Sequence, residues 1–299
     1  MRPMRFTVWL VLLATLLLWS GNWIVARAVR DEIAPGLATV GRQAVVLAIL
    51  LPFVFKSLNT KLKVLGRKDW GVLAGLGLCG GGVHLGLQWL GLHYTTATSG
   101  ILYLSMSPIF ILLLAIPLGE RAGAAQWAGI AISFAGVATI ATQGDLARLA
   151  SLSFNKGDLM AVASMVLWAS YTILLRVRRD PLDVPELLAM VCALGFVWMI
   201  PWLVLEQAYV QLTAAGALAV LYSAIGSLLL AYWGWSYAVT RLGAARAGFT
   251  MHLMPAIGVV LAALFLAEYP SGYHFAGIAL ILAGVGLSTF KASSASSSP

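Results

Sequence analysis

Residues 19–27 read WSGNWIVAR, and residues 168–176 read WASYTILLR. Both stretches open on Trp and close on Arg, at an offset of 149, and the same offset sets Pro52 on Pro201. Past the next loop the offset is 148 and pairs His84 with Tyr232, Gly86 with Gly234, Glu120 with Glu268, Gly129 with Gly277 and Gly136 with Gly284. Pro108 meets Pro255 at 147. A register that survives most of the chain reads as one module written twice, here residues 1–145 and 146–291, with a Ser-rich tail, 292–299, expected to be disordered.

Composition sets the solvent: 61% of the residues are hydrophobic and 10% are charged. This is the pattern of an all-α polytopic membrane protein, because a backbone in lipid has to satisfy its own hydrogen bonds. Apolar runs predict ten spanning helices, at 7–29, 36–55, 70–92, 97–118, 124–142, 157–177, 184–205, 213–238, 243–266 and 273–290. The strict alternation of a membrane β-barrel is missing, so the expected setting is a helical bundle of a bacterial inner (plasma) membrane, multi-pass.

With a cytoplasmic N-terminus, 14 of the 19 Lys and Arg residues fall inside and 5 outside, which places both termini in the cytoplasm. Five spans per module force the second copy to enter from the opposite face. The fold predicted is therefore two inverted five-helix repeats, a common plan of secondary transporters. A cleaved signal peptide is disfavoured by the length of the first apolar run, by Trp19 and Trp23 within it, and by its internal repeat partner.

Several function classes drop out. The net charge of +8 is what topology demands, and the basic loop 56–68 is expected to meet anionic lipid heads rather than nucleic acid. The glycines of residues 75–82 lack a following Gly-Lys-Ser/Thr, so no phosphate loop is present; their four-residue spacings suit close helix packing instead. Cys79 and Cys192 lie in apolar spans and read as small buried hydrophobes, so no metal and no cofactor is expected. An intramembrane enzyme is the remote alternative: no Asp pair within the spans, His-Glu-x-x-His or Gly-x-Ser-x-Gly occurs.

The stretch LWSGNW with Arg27, Gly41-Arg42, the run GLHYTTATSG ahead of Pro108, Leu118-Gly119-Glu120, and Trp127-Ala128-Gly129 with Gly136 resemble the EamA branch of the drug/metabolite transporter superfamily. The second copy is similar more loosely, through Gly243-Ala244-Ala245, Pro255, Glu268 and Ala276-Gly277. Within that branch the chain looks most like the YddG-type amino-acid exporters. The resemblance implies ten helices in two inverted repeats and a small-molecule cargo.

Candidate substrate contacts are residues that are costly or pointless in lipid. Trp19 and Trp168 lie mid-span and are repeat partners; Asn22, Trp23 and Tyr171 extend their stripes at helical spacing. His84 and Gln88 share one helix face, as do their partners Tyr232 and Ser236, and unpaired polar atoms in hydrocarbon are expensive. Pro108 and Pro255 are expected as hinges that disturb the carbonyls of Leu104 and Met251, bordered by Tyr103, Ser105, Ser107, Met251 and His252. Trp9, Trp70, Trp89, Trp127, Trp198 and Trp202 read as interface anchors; Arg42 reads as a side chain snorkelling outward, or as one that pairs with a carboxylate or contacts substrate, and the resemblance favours a fixed structural pair.

All eleven acidic residues fall in loops or near helix ends, leaving His84 and His252 as the titratable groups at depth. The reading is an exporter of aromatic or other apolar amino acids by alternating access, working by facilitated diffusion, with proton coupling through His84 as the alternative. A second cargo class, lipophilic drugs or cations, fits the same fold. The partners expected are the small molecule and the bilayer, and a monomer suffices.

Overall fold

A computed structural model describes residues 2–29, 31–94, 106–119, 123–145, 147, 156–206, 213–266 and 270–290. Among them the elements are helical: α1 (Arg2–Ala28), α2 (Pro35–Leu62), α3 (Arg67–Leu76, a π segment Gly77–Gly81, then Val83–Tyr94), α4 (Ser107–Ala115, closing in a 3-10 turn Ile116–Leu118) and α5 (Ala124–Ala141). There follow α6 (Lys156–Val177), α7 (Val184–Leu205), α8 (Ala214–Tyr222, a π segment Ser223–Leu230, then Ala231–Leu242), α9 (Ala244–Phe249, a 3-10 turn Thr250–His252, then Leu253–Leu266) and α10 (Gly272–Phe290). Seven of these, α1, α2, α3, α6, α7, α8 and α9, are long and apolar enough to cross a membrane; α4, α5 and α10 are shorter apolar helices. The chain is thus an all-α, multi-pass membrane protein.

α2 runs seven residues past the expected end at 55. Its polar extension is held by Lys61, which sits 2.7 Å from Glu186 and 2.8 Å from Asp183 at the start of α7. At the opposite end Glu206, just after α7, accepts the Gly36 N–H in the first turn of α2 through both carboxylate oxygens, at 3.0 and 3.1 Å. The two antiparallel helices are pinned at both ends.

The packing follows a pattern. α1 lies against α8 and α9, α6 lies against α3 and α4, α2 pairs with α7, and α5 pairs with α10. The last pair meets on glycine: a Cβ at Gly136 would stand 2.6 Å from Gly277 O, and one at Gly284 would stand 2.4 Å from Gly129 O. Backbones touch there because no side chain lies between.

Neither π segment is foreshadowed by hydropathy. In α3 the glycine run lets the backbone press on α7, where a Cβ at Gly81 would come 2.2 Å from Val191 O and one at Gly195 would come 2.6 Å from Gly81 C. A π turn shifts the i→i+4 ladder by a residue and frees carbonyls, which other side chains then occupy. The two segments stand one repeat apart: Gly77 and Gly81 map on Ile225 and Leu229 at the offset of 148.

Gly136→Val is expected to overpack the α5–α10 contact, at a cost of about 1–3 kcal/mol, and to lower the melting temperature read by fluorescence-detected size exclusion. Gly71→Ala, where an added Cβ meets nothing within 4 Å, should leave it unchanged.

Candidate functional site

Trp19 of α1 and Trp168 of α6 meet edge to face at the centre of the bundle, with ring centroids 5.0 Å apart and planes at 89°. Four more rings close around them. Tyr232 lies 5.4 Å from Trp168 and 6.0 Å from Trp19; His84 is 5.3 Å from Trp168; Tyr171 and Trp235 stand 5.2 and 5.6 Å from Trp168 on its other sides. Such offset and edge contacts each add about 0.5–1.5 kcal/mol beyond the area they bury.

The polar tips are tied to the helix breaks. Tyr232 Oη donates to Gly80 O in the π segment of α3 at 2.8 Å, and Trp19 Nε1 donates to Ser227 O in the π segment of α8 at 3.1 Å. Gln43 Nε2 donates to Gly81 O. Gly80 itself leaves the room that the Tyr171 ring takes, since a Cβ there would lie 2.2 Å from Tyr171 Cδ2. Two N–H groups have weaker or softer partners: Trp235 Nε1 reaches Thr172 Oγ1 at 3.2 Å, and Trp168 Nε1 points at the Met251 thioether at 3.2 Å.

His84 and Ser164 bind each other. Ser164 Oγ donates to His84 O at 3.0 Å, and His84 Nδ1 lies 2.8 Å from both Ser164 O and Ser164 Oγ. With the hydroxyl proton directed at His84 O, the ring proton belongs on Nδ1, and Nε2 remains an acceptor. Across the bundle Ser223 Oγ donates to Asn22 Oδ1 at 2.7 Å.

A cavity opens beside the two tryptophans, lined by Trp19, Asn22, Trp23, His84, Leu85, Gln88, Met165, Trp168, Ser227, Tyr232, Met251 and Met254. Eight of the residues expected from sequence are on that lining. Tyr171 and Ser236 are buried behind it, His252 is buried in the 3-10 turn of α9, and Tyr103 with Ser105 lies outside the described residues. Sequence reasoning missed Leu85, Met165, Ser227 and Met254, and it missed Trp235 in the ring cluster. Trp235 carried a signal, being a second Trp three residues after Tyr232 on one helix face; apolar Leu and Met carry none.

Two expectations change. Arg42 does not reach the interface: it is 1% exposed, with its guanidinium carbon 5.4 Å above the Trp89 ring. Trp89, expected at the interface, is buried with it. Pro108 stands in the first turn of the described helix Ser107–Ala115, and its expected effect on Leu104 falls outside the described residues. Pro255 stands three residues past the 3-10 turn Thr250–His252, so the ladder tightens where the proline withholds its donor from Met251 O.

The sequence profile of the EamA-like transporter family matches residues 6–142 and again 155–290. The chain is 30% identical to an "uncharacterized transporter" of Archaeoglobus fulgidus over 94% of this chain and 97% of that protein. It is 28% identical to a "probable terminal-alkyne amino-acid exporter" of Streptantibioticus cattleyicolor, over 67% of this chain and 66% of that one. A "probable amino-acid metabolite efflux pump" of Salmonella typhimurium is 24% identical over 57% and 60%. A crystal structure superposes with a TM-score of 0.78 at 23% identity, covering 97% of this chain and 99% of the other, which is likeness of fold.

In this state the cavity has room for only a few waters. Anything larger has to part the rings, and the two bonds to π-segment carbonyls resist that. Tyr232→Phe and Trp19→Phe each remove one donor, keep a ring, and strand a buried carbonyl. Each is expected to destabilise the protein by about 1–3 kcal/mol, read as a lower melting temperature.

Proposed function

The chain belongs to the EamA-like transporter family, and from that premise we propose that it exports amino acids with aromatic or other apolar side chains through the Trp19–Trp168 cavity. Members of the family are transporters, so the protein is a transporter of small metabolites and not an enzyme. The observation that carries the cargo class is the cavity lining. Its walls are indole, phenol, imidazole, thioether and leucine, its polar groups are the neutral ones of Asn22, Gln88 and Ser227, and among the described residues no Lys, Arg, Asp or Glu side chain lines it. Such a surface takes an apolar side chain on its rings and offers hydrogen bonds to a small polar head. Phosphorylated metabolites would need cations on that lining. Two relatives bearing amino-acid names, in Streptantibioticus cattleyicolor and Salmonella typhimurium, lean the same way.

Alternating access of two inverted five-helix repeats is the mechanism we propose. It is supported by the family profile fitting each half, by π segments one repeat apart, and by the packing, in which α1 on α8 and α9 mirrors α6 on α3 and α4. α2–α7 and α5–α10 are then the self-paired elements on the axis, all ten helices span, and the Lys and Arg bias sets both termini in the cytoplasm. Relatives in an archaeon and in bacteria fit a plasma membrane of either cell type.

Export runs by facilitated diffusion in this reading, since among the described residues no carboxylate lines the cavity to carry a coupling ion. Coupling through His84 Nε2 is the alternative. A second cargo, lipophilic cations, draws support from the ring cluster, because aromatic faces attract organic cations.

Proteoliposomes with labelled phenylalanine, tryptophan and leucine test these points. Exchange down a gradient is expected, and an imposed proton gradient alone should not concentrate the label; accumulation against its gradient would overturn facilitated diffusion. Trp19→Ala, His84→Ala and Trp168→Ala should each slow uptake by about tenfold, the effect of losing some 1.4 kcal/mol of contact. Full rates in all three would remove the cavity from consideration, and protection of cells against quaternary ammonium compounds rather than amino-acid analogues would favour the second cargo.

A further inference from the structure

Arg42 is a full cation inside the bundle with no acid of the described residues beside it. The described ion pairs are Lys61 with Asp183 and Glu186, and Arg178 with Asp180; no carboxylate of the described residues is in ion-pair reach of Arg42. Its one hydrogen bond among them is long, Nη2 to Thr39 Oγ1 at 3.4 Å, and Nε is buried without a partner. The Trp89 ring, 5.4 Å from the guanidinium carbon, supplies the remaining stabilisation. A buried charge left this way is expensive, and inside a membrane bundle such a charge is kept where a ligand or counter-ion meets it.

The cavity is next door. Gln43, which follows Arg42 in α2, donates to Gly81 O, and Tyr232 of the lining donates to Gly80 O beside it. Trp89, under the guanidinium, follows the lining residue Gln88 directly in α3. The cavity, for its part, has room for few waters and, among the described residues, no charged side chain on its wall. A zwitterion entering it would find hydrogen bonds for its head but nothing to balance its carboxylate, while an unbalanced guanidinium stands behind the rings.

We propose that Arg42 is the counter-ion for the substrate carboxylate, met when the substrate parts the wall at Tyr232. The planar fork of Arg matches a carboxylate in two parallel bonds, which a point charge cannot reproduce. Tyr232 is the ring that has to move, its hydroxyl leaving Gly80 O in the π segment as the carboxylate arrives. The inference rests on the amino-acid reading above and adds to it a polarity: carboxylate toward α2 and α7, side chain on the rings of Trp19 and Trp168.

The test uses three probes of one size: phenylalanine, 3-phenylpropionate, which lacks the ammonium, and phenethylamine, which lacks the carboxylate. Binding is followed by quenching of the tryptophan fluorescence of the purified full chain, and by competition against labelled phenylalanine in proteoliposomes. In the wild type, 3-phenylpropionate should bind at least about tenfold more tightly than phenethylamine, the equivalent of one ionic contact. Arg42→Gln should erase that preference, and Arg42→Lys should keep its direction at reduced affinity. Equal binding of the two probes by the wild type overturns the proposal, whether or not the Gln variant folds, and so does an unaltered preference in Arg42→Gln or a reversed one in Arg42→Lys. If phenylalanine is not transported while 3-phenylpropionate binds in an Arg42-dependent way, the amino-acid reading falls and the carboxylate site stands.

Discussion

A backbone carbonyl that leaves its helix ladder inside lipid has no water to turn to, so the protein must bring it a donor. That constraint organises the centre of this bundle. In the π segments of α3 and α8 the carbonyls of Gly80, Gly81 and Ser227 accept from the side chains of Tyr232, Gln43 and Trp19. Two of those three are cavity walls. The rings thus stand where they do because a helix break in the opposite half of the chain holds each by its polar tip. The helix breaks and the aromatic site are one construction.

The same arrangement explains which parts could be read in advance. Trp19, Trp168, His84, Tyr232, Asn22 and Gln88 are conspicuous at mid-span because their polar or bulky groups have no business in hydrocarbon, and the duplication doubled the signal. Leu85, Met165 and Met254 line the cavity equally, but a residue that suits lipid, core and cavity alike announces none of them. The π segments were hidden for another reason. The one in α3 stands where Gly77, Gly81 and Gly195 let α3 and α7 approach, a property of two helices that are far apart in sequence. Of the readings open for Arg42, its distance from a predicted span end allowed an outward route, which the Trp89 ring closes by holding the side chain inward.

Where the halves differ is also informative. His84 binds Ser164 of the facing repeat, while its counterpart Tyr232 binds the backbone of Gly80. Asn22 accepts from Ser223, while its counterpart Tyr171 packs its ring into the space that Gly80 leaves. The same positions perform different jobs on the two sides, so the cavity presents a directional surface although the helices around it are arranged in matching pairs.

The pinning of α2 to α7 has a mechanical consequence. Lys61 with Glu186 and Asp183 at one end, and Glu206 on the Gly36 N–H at the other, oppose sliding and splaying alike. A beam clamped at both ends is poor at bending but good at bearing torque. The compliant parts lie elsewhere, in the π segments of α3 and α8 and in the 3-10 turn of α9. Any rocking of the bundle would therefore use α2 and α7 as its fulcrum, with the arms yielding at the ring cluster rather than at the membrane surface.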